Sequence, residues 1–285
     1  MKALEGRTAV VTGAASGIGL GMTEAFASRG MKVVMADVEE AALLREADRL
    51  TRANFEVDPQ LVDVASLASV ERLADAAEAR FGHVHVLCNN AGVSGGGGGR
   101  PIWAQTGNDW DWVMGVNFWG VVNGLKAFVP RMLAHGDEGH VVNTSSILGL
   151  TTGPGSVYGV SKHAVARLTE GLWYDLKAAN AAINATVLCP GMIATNIITS
   201  ARNRPDALTG AEDEPDEVQR AARAAMDARF RAEGMSPREV GEKVVQAILD
   251  EQFYLLTHAA NMEGVKRRFD AILNVRNPTP PAPLI

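Results

Sequence analysis

Short, almost wholly apolar runs alternate with helical stretches along the first two thirds of the chain, and nothing else constrains the fold as strongly. The runs are Thr8–Val11, Lys32–Ala36 (KVVMA), Phe55–Val62, Val84–Cys88 (VHVLC), His140–Asn143 (HVVN) and Ala185–Cys189 (ATVLC). Helical spacing fills the gaps, over Gly17–Arg29, Glu39–Leu50, Leu67–Phe81, Trp110–Ala134 and Ser156–Ala179. A strand that is apolar on both faces must be covered on both, and parallel strands joined by helical crossovers achieve this. The pattern predicts an α/β fold with a doubly wound parallel sheet in three layers, α/β/α. No linker or composition shift divides the units, so all 285 residues are read as a single domain.

From about Met192 to Met235 the alternation stops. The stretch is rich in Ala, Arg, Asp and Glu, with a helical patch at Glu217–Arg231. Its place after the sixth strand suggests a helical lid over a substrate, residues 192–235. Phe253–Leu256 (FYLL) reads as a last strand, and the tail 276–285, ending PTPPAPLI, as extended. The net charge is −6 with no long basic run, which argues against nucleic acid or an anionic membrane as partner. Cys88 and Cys189 are too few for a disulfide framework and close apolar runs, so buried free thiols are expected. The lead MKALEGRTAVVTG has no hydrophobic segment with a cleavage site, and no apolar stretch is long enough to span a bilayer. A cytoplasmic location follows as the expectation.

The first strand runs into Thr12-Gly13-Ala14-Ala15-Ser16-Gly17-Ile18-Gly19 and then a helix. Such glycines let backbone turn sharply and approach a pyrophosphate, to which the helix start offers unpaired N–H groups. This is the Rossmann-type arrangement, although the spacing is G-x3-G-x-G and not G-x-G-x-x-G; a tight turn without a ligand is the alternative. Asp37 ends the second strand, 18 residues after Gly19. A carboxylate there accepts hydrogen bonds from an adenosine ribose diol and repels a 2′-phosphate, unless it merely caps the next helix. With Val38 following and no cation in the turn, NAD is favoured over NADP.

Tyr158 and Lys162 stand four residues apart, hence on one helical face. A free phenol has a pKa of about 10, and a nearby ammonium stabilises its anion. Tyr-x3-Lys alone is a weak signal. Here Asn143-Thr144-Ser145-Ser146 ends the fifth strand, Asn89-Asn90-Ala91-Gly92 the fourth, and Pro190-Gly191 follows the sixth. Together with TGAASGIG, the set resembles the classical short-chain dehydrogenase/reductase family from about Gly6 to Thr195.

The resemblance implies an oxidoreductase that moves a hydride between NAD and a secondary alcohol or ketone. Tyr158 would be the general acid/base, Lys162 would bind the nicotinamide ribose and lower the tyrosine pKa, and Ser146 would polarise the substrate oxygen, with Ser145 the alternative. Asn117, in GVNFWG, matches the asparagine whose helix distortion holds a relay water. Gly13, Ser16, Gly17, Ile18, Gly19 and Asp37 would bind the cofactor, Asp63 and Val64 the adenine. Asn90, Ala91 and Gly92 would line the ribose side, and Pro190, Gly191, Ile193 and Thr195 the nicotinamide. A homodimer or homotetramer packed through the long helices is also implied.

Leu148, Leu150, Met192, Ile193, Ile197 and Ile198 flank the expected pocket and are apolar, so a bulky hydrophobic or aromatic alcohol is expected as substrate. The ending FYLLTHAANMEGVKRRF resembles a bacterial branch acting on bulky aromatic alcohols, including lignin-derived aryl ethers. A steroid, alicyclic or 3-hydroxyacyl alcohol is the alternative within the family, and a non-catalytic NAD-binding regulator the alternative outside it. A cofactor-free halohydrin dehalogenase would fill the glycine turn, and an epimerase or dehydratase would carry a longer C-terminal part. Trp103, after the run Gly95–Gly99, is placed to touch substrate, while the other tryptophans read as packing. His83 and His85 share a strand face with no third ligand pattern beside them, so no metal is expected.

Overall fold

The computed structural model describes residues 1–95, 100–210 and 215–278. The strands are β1 (Thr8–Thr12), β2 (Lys32–Asp37), β3 (Val57–Leu61), β4 (Val86–Asn89), β5 (Gly139–Thr144), β6 (Ile183–Cys189) and β7 (Tyr254–Leu256). All pair parallel in one sheet, ordered β3-β2-β1-β4-β5-β6-β7. The helices are α1 (Gly17–Ala27), α2 (Glu40–Arg52), α3 (Leu67–Phe81), α4 (Gly107–Met114), α5 (Gly120–His135), α6 (Val157–Ala178), α7 (Glu217–Glu233), α8 (Pro237–Leu249) and α9 (Met262–Leu273). The order reverses between β1 and β4, and that switch point is where ligands bind in doubly wound sheets.

Register explains why the strands read as continuous apolar runs. Val34, Val10, Leu87, Val141 and Ala185 form one row across five strands, pointing to the layer of α3, α5 and α6. The next row, Met35, Val11, Cys88 and Val142, points to the layer of α1, α2 and α8. Both faces are dry, and each fully buried Phe26, Phe128 or Leu87 contributes about 1.5–3 kcal/mol. The third strand is shorter than the expected Phe55–Val62 because it is an edge strand, half exposed, where Pro59 costs only one ladder bond. Cys88 and Cys189 are buried free thiols. No helix among the described residues is long and apolar enough to cross a membrane. Of the expected extended tail only residues 276–278 are described; Gly96–Gly99 of the glycine run also lie outside the described residues.

Two contacts set the helices that matter for the cleft. α1 and α8 meet backbone to backbone: a Cβ on Gly21 would lie 2.1 Å from the Pro237 carbonyl oxygen, and one on Gly241 would lie 2.2 Å from that of Gly21. The long helix expected over Trp110–Ala134 is present but interrupted, with a π turn over Gly115–Trp119 between α4 and α5.

The sheet also encloses a histidine. His140 is fully buried, and its Nε2–H donates to Thr186 Oγ1 at 2.7 Å, which donates to the Gln252 carbonyl at 2.6 Å. Its Nδ1 has no partner among the described residues, and burial holds the imidazole down at about 3. The unfolded chain binds this proton near the ordinary value of about 6.5, so the contribution to stability is complete above that pH and lost as pH falls toward 3. The linkage is about 5 kcal/mol over the interval. Urea midpoints of the parent should therefore fall between pH 6.5 and 4 more steeply than those of His140→Gln. Equal slopes would show that this histidine is not an acid-sensitive point of the fold.

Candidate active site

The carboxyl ends of β1, β4, β5 and β6 open into one cavity of about 740 Å³, running from Asp37 and Val64 at one end to Tyr158, Met192 and Phe230 at the other. At the β1 end, Gly13 (φ +69°) and Gly17 (φ +53°) take left-handed backbone. Gly19 is required by proximity: a Cβ there would lie 1.9 Å from the Gly13 carbonyl oxygen. Asp37 braces the turn, its two carboxylate oxygens accepting the Ala15 N–H at 2.9 Å and the Glu39 N–H at 3.0 Å. Each oxygen keeps a lone pair for another donor. Ser16, Ile18, Asp63, Ala91 and Gly92 also line this end. Asn90 is turned partly away, donating to the Thr12 carbonyl at 3.0 Å and accepting from Thr144 Oγ1 at 3.2 Å, which ties β1, β4 and β5 together.

Helix α6 starts with Ser156 as N-cap and presents Tyr158 to the cavity, with Lys162 one turn on and buried behind it. The Tyr158 and Ser146 side chains face the same cavity, close enough for the serine to lower the phenol's pKa, and Ser146 Oγ accepts the Leu148 N–H at 3.2 Å. Ser145 points elsewhere: its hydroxyl donates to the Lys162 carbonyl at 2.6 Å. Between the two serines, the geometry brings Ser146 to the phenol.

Lys162 Nζ donates to the Thr144 carbonyl at 2.9 Å and lies 5.7 Å from the centroid of the Tyr158 ring. Burial lowers this ammonium to about 8. The tyrosine does not follow the expected direction. Burial raises its phenol above the ordinary value, and the Ser146 side chain offsets this only in part. Burial is thus what keeps the phenol protonated in the free protein, while the Lys162 ammonium has two further N–H donors beyond its bond to Thr144.

Asn117 lies in the π turn, fully buried. Its Oδ1 accepts the Val93 N–H at 2.8 Å, and its Nδ2 donates to the Val93 carbonyl at 2.9 Å and to Ser161 Oγ at 3.0 Å. The side chain clamps the segment after β4. A Cβ on Gly92 would sit 3.3 Å from Lys162 Nζ and 3.4 Å from Asn117 Oδ1, so glycine keeps these two groups adjacent.

After β6, Pro190 accepts the Ile147 N–H at 2.9 Å, Gly191 donates to Thr257 Oγ1 at 3.0 Å, and Thr195 packs on Gly17. Ile193 and Met235 form a parallel bridge that closes the base of segment 192–235. Above it, Arg202 and Asn203 bind Glu39, and the almost fully buried Arg204–Asp109 pair closes at 2.9 Å beside Trp112. Leu148, Met192, Ile193, Ile197 and Ile198 line the cavity.

Two expected pocket residues do not. Leu150 packs into the cluster of Ala166, Val187 and Cys189. Trp103 is 85% exposed and off the cavity; the tryptophan that lines it is Trp112, carried there by α4. Leu208, Phe230 and Asn261 also line it and were not anticipated. They come from the segment over the cleft and from the C-terminal region, whose place no local spacing reveals.

Comparison with known proteins agrees with this geometry. The family model described as short chain dehydrogenase matches residues 7–206. The 1-deoxy-11-beta-hydroxypentalenate dehydrogenase of Streptomyces exfoliatus is 35% identical over 281 residues, covering 98% of this chain and 93% of that protein. A C alpha-dehydrogenase of a Sphingobium species is 33% identical, covering 96% and 88%. A short chain dehydrogenase/reductase from Burkholderia phymatum, crystallised in complex with NAD, is 42% identical and superposes with a TM-score of 0.94, covering all of both chains.

Proposed function

The chain belongs to the short chain dehydrogenase family, an oxidoreductase family, and on that premise we propose that it interconverts a secondary alcohol and its ketone with NAD, using Tyr158 as the acid/base. The observation that carries this reading is one cavity holding the Tyr158–Ser146 pair, with Lys162 behind it, and the glycine turn with Asp37 at its far end. The residues present fit a dinucleotide: left-handed glycines at a helix start for the pyrophosphate, and a carboxylate with free lone pairs for a ribose diol. The NAD bound by the Burkholderia protein, identical over 42% of positions, supports the same cofactor. Arg202, the cation that reaches the Asp37 end, is neutralised by Glu39 and is not free to greet a 2′-phosphate.

Bound NAD would supply the hydride-accepting ring carbon and, when oxidised, a positive charge beside the phenol. Ser146 holds the substrate oxygen, and Tyr158 Oη takes its proton during oxidation or returns it during reduction. Lys162 positions the nicotinamide ribose and favours the phenolate. The Asn117 side chain is committed to Val93 and Ser161, so it holds the segment after β4 in place beside Lys162.

The wall of Leu148, Trp112, Met192, Ile197, Leu208 and Phe230 suits a bulky hydrophobic or aromatic substrate. Residues 192–210 and 215–235, with 211–214 outside the described residues, act as its lid, hinged at the Ile193–Met235 bridge. The exposed Trp119, Leu133, Val160 and Tyr174, on or beside α5 and α6, support a homodimer or homotetramer packed through these helices. A panel of secondary alcohols assayed with NAD at the absorbance of the reduced cofactor tests the reading. Bulky aryl or alicyclic alcohols should turn over at least about tenfold faster, as kcat/KM, than small polar ones. Turnover confined to small polar alcohols would remove the substrate class, and no turnover with intact NAD binding would favour a binding-only protein.

A further inference from the structure

At the opposite end of the sheet from the cavity, three imidazoles surround one carboxylate. His83 and His85 come from the approach to β4, His135 from the last turn of α5, and Asp137 from just beyond it. Gly136, left-handed at φ +71°, ends the helix and folds Asp137 back toward His135. Asp137 Oδ2 lies 2.9 Å from His83 Nδ1, 3.4 Å from His135 Nδ1 and 3.5 Å from His85 Nε2. The rings of His83 and His135 stack with centroids 4.4 Å apart. The third ligand missing from the strand spacing thus arrives from some fifty residues later in the chain.

Tautomers sort these groups into different roles. His135 Nε2 sits 3.1 Å from the Val84 carbonyl, so Nε2 carries the proton and Nδ1 offers its lone pair toward Asp137. A backbone carbonyl fixing the far nitrogen is how ligating histidines are usually oriented. His85 is the reverse: Nδ1 accepts the Thr8 N–H at 3.1 Å, so Nε2 is protonated and points at the carboxylate as a donor. It steadies Asp137 and is not itself a ligand. His83 is largely exposed, held by its stacking on His135 and its contact with Asp137. The donor atoms of His83, His135 and Asp137 all lie within 4.8 Å of one another. Atoms about 2.0–2.1 Å from a tetrahedral zinc lie about 3.3 Å apart, so the donors close around the ion by side-chain rotation within the cluster. The negative end of α5 adds to the attraction for a cation. Two existing bonds must yield, the Asp137 N–H to His135 Nδ1 at 3.1 Å and the one between His83 Nδ1 and Asp137 Oδ2 at 2.9 Å.

We propose that His83 Nδ1, His135 Nδ1 and Asp137 bind one zinc ion or a similar divalent transition metal, with His85 positioning the carboxylate and the fourth coordination place open to water. The site is remote from the chemistry and joins the end of α5 to the approach to β4. Tag-free, chelator-treated protein titrated with zinc chloride should bind one equivalent and gain about 5 °C in melting temperature at saturating metal. Cobalt(II) should give the visible absorption of a tetrahedral N/O site. His83→Ala, at an exposed position, and Asp137→Asn should each weaken zinc at least about tenfold and abolish the shift, while oxidoreductase turnover stays unchanged. Absence of binding at 100-fold excess metal, or the same affinity and thermal shift in parent and His83→Ala, would overturn the proposal.

Discussion

Changing Tyr158 to phenylalanine is expected to lower turnover about 10²–10⁴-fold while dinucleotide affinity stays within about twofold of the parent. The ring would keep its place against α6 and the cavity, so the loss isolates the hydroxyl. That hydroxyl is a titratable group that faces the cavity beside Ser146. Because burial raises its pKa, the phenol is protonated at neutral pH in the free enzyme, and oxidation of an alcohol, which needs the phenolate, should quicken as pH rises. Reduction needs the protonated form and should slow over the same range. Lys162, lowered to about 8, loses its charge in the middle of the pH 6 to 10 range and with it the support it gives the anion, so oxidation should level off above about pH 8. Steady-state rates in both directions from pH 6 to 10, with fluorescence titration of NADH on parent and variant, decide the matter. A Tyr158→Phe enzyme that keeps a tenth of its activity would rule out the acid/base role.

The second large effect is expected at the other end of the cavity. Asp37→Ala should weaken NAD about 10²–10³-fold and bring NADP within about tenfold of it. Two hydrogen bonds from a ribose diol to a carboxylate are worth about 1.5–3 kcal/mol each. The same carboxylate holds the Ala15 and Glu39 N–H groups, so its removal also loosens the glycine turn and adds to the loss for both dinucleotides. The ratio of the two affinities separates the effects. Loosening lowers both alike, whereas loss of charge repulsion helps only NADP. Asp37→Asn keeps an acceptor oxygen and should fall between. Titration of NADH and NADPH against the three proteins reads this directly, and an unchanged ratio in Asp37→Ala would mean that the residue serves the turn alone.

What was readable in the sequence follows from how local each feature is. The parallel sheet declared itself because Val10, Leu87 and Val141 must be apolar on one face while Val11, Cys88 and Val142 must be apolar on the other. Tyr158 and Lys162 are one helical turn apart, and Gly13, Gly17 and Gly19 are one strand-to-helix turn, so spacing alone places each group. The walls of the cavity are different. Phe230 and Asn261 reach it through tertiary packing, and Trp112 rather than Trp103 faces it because the turn of α4, not nearness in sequence, sets direction. Leu150 is apolar for a neighbouring cluster and not for a ligand. His83 and His85 gave half of a cluster whose other half, His135 and Asp137, only the antiparallel return of α5 supplies. The phenol's pKa also escaped, since its direction is set by how deeply the fold buries Tyr158.

Gly21 and Gly241 carry a consequence of their own. Where two helices touch without side chains between them, no rotamer can absorb a change, and any added atom is converted into rigid-body displacement of one axle against the other. One of those axles, α1, aims its amino end at the pyrophosphate turn; the other, α8, never comes near the cleft. Dinucleotide affinity is in this sense written partly on the far side of the molecule, where a methyl group at 241 acts as a wedge with a long lever.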